Sequence, residues 1–231
     1  PGKLVCYLVF SGFCVMGTYL GFQIEGAIAN TRAIGAVLGG LLGGPFVGLA
    51  VGLTGGLHRY SLGGFTASAC AVSTTIEGLI GGCLHLYLLR RHRADRLLNP
   101  MIALGTTLCA ELMQMLIILL MARPFDHAAR LVAHIILPMT LTNAFGAALF
   151  MRLILDRRET LEKYSIAFSA KALRIAERSV GVLLQGFNEH NCKRMASVIQ
   201  EETGVGAVAI TDSEKLLGFV GIGSDHHLPG T

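Results

Sequence analysis

The sequence predicts a mainly α-helical, polytopic transmembrane bundle that leads into a small α+β portion, and three observations carry that prediction. The first is composition: of 231 residues, 52% are hydrophobic and only 15% charged, against about a quarter charged in soluble domains. The mean hydropathy is +0.59. The second is that the apolar residues are gathered into blocks long enough to cross about 30 Å of hydrocarbon at about 1.5 Å per residue. The third is a change of character beyond Asp156, where charge and amphipathic spacing return.

The blocks lie at about residues 4–22, 33–57, 66–89, 101–122 and 131–155, which sets a transmembrane domain at 1–155. The second block is unlike the others. Gly39, Gly40, Gly43 and Gly44 are followed at once by Pro45, the strongest helix interruption in the chain. Two short helices, 33–43 and 45–57, each about 18 Å long by the helix rise, are therefore expected to dip to mid-membrane and return. Broken helices are tolerated at that depth only where protein or a cavity surrounds them. Glycine pairs such as Gly40/Gly44 and Gly48/Gly52 supply small-xxx-small faces on which backbones touch.

Orientation follows from charge. The loop "RRHRADRLLNP" carries Arg90, Arg91, Arg93 and Arg96 against Asp95 alone, whereas "RPFDHAAR" at 123–130 is short and mixed. The positive-inside rule places the first in the cytoplasm and the second outside. A broken hairpin then puts Arg32 and Arg59 at one outer mouth. The same rule accounts for the net charge of +4, so the lipid bilayer is the expected partner and nucleic acid is not. The six cysteines show no metal-type spacing, and five lie in apolar segments where cysteine acts as a small hydrophobe.

Residues 156–182 read as an amphipathic helix leaving the membrane, with Leu161, Phe168, Ala172, Ile175 and Val182 on one stripe. That stripe suits either a dimer seam or packing on its own domain. Over 183–231, "NEHNCKRMASVIQEETGVG" continues as helix to Gly204 or Gly206, and "AVAITD" with "LLGFVGIG" forms a hairpin signal. Helix followed by hairpin is the opening of a sensory module of the PAS or GAF kind. With Pro1 first and a strand-like segment near its end, the sequence is expected to belong to a longer protein.

Two arginines at one mouth need counter-charge, and their planar forks match a carboxylate bidentately. Snorkelling to lipid headgroups is the other reading. In the next span Cys70, Ser73, Thr74 and Glu77 recur at three- and four-residue steps and share one helix face. Each alone is an ordinary packing residue; with Arg32 and Arg59 they make a constellation in which thiol and hydroxyl address a ligand's carbonyl. Glu77, Glu111, Gln114 and Asn143 are polar within apolar spans and read as an internal ion pair, interhelical hydrogen bonds or a proton relay. His226 and His227 lack further ligands at metal spacing, and no nucleophile–base pattern or phosphate loop appears, so neither a metal nor a catalytic site is expected in these residues.

The block "NTRAIGAVLGGLLGGPFVGLAVGLTGGLHRYSLGGFTA", with "EGLIGG", the "RRHR" loop and "TNAFGAALFMRLILDRR", resembles the five-transmembrane receptor domain of LytS-type sensor histidine kinases, nearest their pyruvate-sensing, BtsS-type branch. "QGFN" and "VAITDSEKLLGFVGIGSDHHLPG" are similar to the start of the GAF domain that follows in that family. The resemblance implies a dimeric inner-membrane sensor with a cytoplasmic C-terminal portion. It implies a distal kinase module that uses ATP and phosphorylates a LytTR-type response regulator, and no cofactor within this chain. It implies pyruvate as ligand, with Arg32, Arg59, Cys70 and Ser73 at the positions of the branch's binding residues. The glycine–proline hairpin also resembles the substrate-binding subunits of energy-coupling-factor importers, which keeps a small-acid transporter open as the alternative.

Overall fold

The computed structural model describes residues 2–24 and 27–225; the two histidines considered for metal, His226 and His227, lie outside them. The described elements are helix α1 (Gly2–Tyr19), strands β1 (Phe22–Ile24) and β2 (Ala27–Ala29), helices α2 (Arg32–Gly43), α3 (Pro45–Ser61) and α4 (Ala67–Arg90), a 3₁₀ turn at Ala94–Leu98, helices α5 (Pro100–Met121), α6 (Phe125–Leu183) and α7 (Glu189–Thr203), and strands β3 (Ala207–Thr211) and β4 (Leu216–Gly221). Among the described residues α1, α4, α5 and α6 are long and apolar enough to cross a membrane. Large side chains such as Leu8, Leu116, Leu120, Leu149 and Leu153 face outward on them, as expected where lipid is the solvent.

Three features depart from the sequence reading. The first span ends at Tyr19, and residues beyond it form an antiparallel pair with Phe22 opposite Ala29. A reading by apolar length runs through Gly21, where any side chain would collide with Ile28 and the Ala29 carbonyl. The last helix starts at Phe125 rather than 131, and it runs without a break into the helix read at 156–182. The second block does break, at Gly44 with φ +87° and Pro45 at the first position of α3, but into helices of 12 and 17 residues rather than two of a dozen.

The packing of that hairpin sets the depth of everything else. α3 lies antiparallel along α4 with backbones touching. A Cβ on Gly48 would strike the Gly78 carbonyl, one on Gly52 would lie 2.7 Å from the Thr74 carbonyl, and one on Gly56 2.6 Å from that of Ala71. α2 runs parallel to α4: Arg32 bonds Thr74, Gly81 abuts the Val37 carbonyl, and Gly44 sits against His85, whose Nδ1 is 2.7 Å from the Leu41 carbonyl. α1 closes the other side, Cys14 against Gly35 and Phe10 against Gly39. The turn at Gly44 therefore lies against Gly82 and His85, in the C-terminal half of α4. The N-terminus of α2 starts seven residues into α4, about 10 Å below that helix's first residue.

Two compact units divide the chain, Pro1–Arg157 and Arg158–Thr231. In the second, Arg178 bonds Glu201 and Glu202 of α7, both at 2.9 Å, and Lys171 Nζ donates to the Thr203 carbonyl at 3.2 Å. α7 is capped by Asn188, whose side chain accepts from the Asn191 N–H at 2.9 Å, and it ends on left-handed Gly204. Asp212 closes the β3–β4 turn by accepting the N–H groups of Glu214 and Lys215, each at 2.8 Å. Those donors hold its carboxyl below the usual carboxylate value.

Candidate functional site

Arg32 opens α2 and is fully buried. Its Nε donates to Thr74 Oγ1 at 2.7 Å and its Nη1 to Thr18 Oγ1 at 3.4 Å. Both hydroxyls are free to accept because each donates to a helix carbonyl one turn back, Thr74 to Cys70 at 2.8 Å and Thr18 to Cys14 at 3.0 Å. The Arg32 backbone N–H is taken by Asn30 Oδ1 at 3.0 Å. Its Nη2 has no partner.

Arg59 stands in the last turn of α3, 1% exposed. Nη1 donates to the Gly63 carbonyl at 2.6 Å and Nη2 to Thr66 Oγ1 at 3.2 Å, while Nε is unpartnered. Cys70 and Arg32 both lie within electrostatic range of this guanidinium. Ser73 is buried beside Cys70, its hydroxyl donating to the Cys70 carbonyl at 3.1 Å.

Thr66, Cys70, Ser73, Thr74 and Glu77 thus form one buried ladder along α4. Arg59 meets its upper rung at Thr66, and Arg32 a lower one at Thr74. The arginines are stacked in depth rather than paired at a mouth, and both are buried too deeply in protein to be described as snorkelling. Glu77 lies one turn further along, with no hydrogen-bond partner on either carboxylate oxygen. Glu111 of α5 accepts from Asn143 Nδ2, which also donates to the Asn30 carbonyl at 3.1 Å. A cavity of about 240 Å³ adjoins this region, lined by Asn30, Thr31 and Asn143 with apolar residues of β1 and α6; none of Arg32, Arg59, Cys70 and Ser73 lines it.

Burying a guanidinium is costly unless every N–H is matched. Here two cations share one low-dielectric interior, and each keeps a donor with nothing to bind. Such an arrangement leaves two buried donors unmet, and the half-helix N-terminus of α2 adds its own positive end. Of the residues singled out in the sequence, Arg32 meets Thr74 on the α4 face that also carries Cys70, Ser73 and Glu77, while Arg59 meets Thr66 at the start of that helix; the sequence reading set both arginines at one mouth. It missed Thr18, Asn30 and Thr66. Of these only Thr66 had a legible signal, four residues before Cys70 on the same face.

A bundle of membrane-crossing helices whose last member runs on as an amphipathic helix is the organisation of a multi-pass membrane domain. The chain belongs to the 5TMR-LYT family: the family model described as "5TMR of 5TMR-LYT" matches residues 1–157. It is 60% identical over 230 residues to "Sensor histidine kinase BtsS" of Escherichia coli (strain K12), an alignment covering 100% of this chain and 41% of that protein. It is 40% identical over 244 residues to "Sensor protein LytS" of Bacillus subtilis (strain 168), covering 99% of this chain and 41% of the relative. To "Sensor histidine kinase/phosphatase LytS" of Staphylococcus aureus (strain Mu50 / ATCC 700699) it is 31% identical over 240 residues, covering 96% and 40% respectively. The chain therefore spans about two-fifths of the length of these relatives. No solved structure matches it. It is the membrane receptor domain of a LytS/BtsS-type sensor, a multi-pass inner-membrane protein.

Proposed function

We propose that this receptor domain binds a small carboxylate, pyruvate foremost, and that the whole protein is a sensor histidine kinase that reads its occupancy. The observation that carries the reading is the pair of buried arginines, each with an unpartnered N–H. In this reading the carboxylate lies between Arg32 Nη2 and Arg59 Nε, while the Cys70 thiol and the remaining lone pairs of Ser73 address the keto end. Pyruvate is favoured by the resemblance to the pyruvate-sensing branch and by the 60% identity to BtsS. The charged loop at 90–96 supports an outer-side site and a cytoplasmic C-terminal portion.

The remaining parts of the proposal rest on the family resemblance. Residues 183–231 are read as the start of a GAF-like domain. A kinase module beyond it would use ATP and pass phosphate to a LytTR-type response regulator. A homodimer is supported by the apolar residues Leu161 and Phe168, which stand 68% and 75% exposed on α6.

Calorimetry with the purified protein tests the site. Arg32→Ala and Arg59→Ala should each weaken pyruvate binding by at least about tenfold, since a hydrogen bond to a charged group is worth about 1.5–3 kcal/mol. Unchanged affinity in both would sink the assignment. A small-acid transporter is the second reading, favoured by the half-helix N-terminus at depth, a device of secondary transporters. Labelled pyruvate accumulating in vesicles would select it, whereas a receptor binds without moving its ligand.

A further inference from the structure

We infer that Asn143 is the positioning residue through which the state of the arginine site reaches α6, an inference that rests on the receptor reading above. Asn143 is fully buried on α6. Its amide nitrogen bonds to two other parts of the bundle, the Asn30 carbonyl at 3.1 Å and Glu111 Oε1 of α5. Asn30, through its side chain, holds the backbone N–H of Arg32 at 3.0 Å. A line of hydrogen bonds therefore runs from the first residue of α2, whose guanidinium faces the ligand, through Asn30 to α6. One turn along from Asn143, Gly146 brings α6 against Ile34 of α2, close enough that a Cβ there would lie 2.7 Å from Ile34 Cδ1.

The junction is built to hold more than one arrangement. Asn143 abuts the cavity of about 240 Å³ that Asn30, Thr31 and Thr142 also line, so there is unfilled space next to the junction although the amide itself is buried. Asn143 Oδ1 is buried without a partner, so moving the amide breaks nothing at that atom. Pro138 stands in α6 five residues earlier and lines the same cavity. Lacking an N–H, it leaves the His134 carbonyl without its helical donor and weakens the helix there against bending.

A ligand shifts a conformation only by binding one state better than another. A carboxylate drawn onto Arg32 pulls on the start of α2, and the bond from Asn30 to Asn143 makes the position of α6 part of that difference. α6 is a single helix of 59 residues from Phe125 to Leu183. Asn143 is the point on it tied to the residue next to the site.

The test uses the full-length protein in lipid nanodiscs, with pyruvate affinity read by calorimetry and histidine autophosphorylation read with and without pyruvate. Asn143→Leu removes both donors while keeping the branched heavy-atom shape, and the smaller Asn143→Ser is the milder variant should the first fail to fold. The expected result is pyruvate affinity within about 5-fold of the parent, the low end of ordinary coupling between sites, with autophosphorylation retained but no longer dependent on pyruvate. An unchanged pyruvate response overturns the inference. So does loss of binding as severe as in Arg32→Ala, which would make Asn143 part of the binding site, and so does loss of autophosphorylation itself. Absence of pyruvate binding in the unmodified protein would instead remove the receptor reading, and this inference with it.

Discussion

At the scale of single residues, the site depends on hydroxyls that turn their donors away. Thr74 donates to Cys70 and accepts from Arg32 Nε at 2.7 Å, so the guanidinium is held by the side of the oxygen that the helix leaves free. Thr74→Val keeps the shape and removes the acceptor. It should destabilise the ligand-free protein by about 1–3 kcal/mol, the cost of leaving a buried donor unmatched, read by denaturant unfolding in detergent micelles. An unchanged midpoint would mean that Arg32 finds another acceptor. The two arginines were legible in the sequence because they flank an apolar block broken in its middle by glycine and proline, which folds its two ends back to the same side. Thr18 and Asn30 were not, since small polar side chains are common in membrane helices and loops, and their partners lie 14 and 2 residues away on separate elements or turns.

At the scale of elements, the glycines decide how closely α2, α3 and α4 approach. Gly78 and Gly48 face each other so that a methyl on either would strike the other's carbonyl. Gly78→Ala should cost about 1–3 kcal/mol through overpacking, seen as a lower thermal midpoint of the bundle. Gly105→Ala, with nothing within 4 Å of its added Cβ, is the control that should not fall. At the hairpin turn Gly44 has φ +87°, open only to glycine at little cost, and Gly44→Ala should lose about 1–3 kcal/mol by strain alone. In the second unit, the N–H groups of Glu214 and then Lys215 lower the Asp212 carboxyl. A depressed folded value means that its stabilising effect is present above the unfolded pKa and disappears as pH falls through the folded one. Hydrogen exchange at the Lys215 amide should show this: Asp212→Ala loses protection at neutral pH, and the two proteins converge in acid. The glycine–proline break was readable from residue chemistry. Its depth was not, because depth comes from which glycines of α4 the hairpin meets.

At the scale of the whole molecule, the charge asymmetry of the loops predicts a topology that labelling can check. A cysteine placed at His92 should react with a membrane-impermeant maleimide only after cells are opened, and one placed at Asp126 should react in intact cells. The reverse pattern would invert the proposed site to the cytoplasmic side. The sequence by itself determined the class of the protein: apolar block lengths, the glycine–proline interruption and basic loop ends are local properties, and local chemistry suffices to read them. It also determined which face of α4 carries polar groups, since helical spacing alone aligns Cys70, Ser73, Thr74 and Glu77. Only the tertiary structure decided that Arg32 lies about 10 Å below the first residue of α4, that β1 and β2 pair antiparallel, and that Asn143, 113 residues along the chain from Asn30, is bonded to it. Those relations arise from parallel packing of a half-length helix against a full-length one, and no periodicity within either helix records the offset between them.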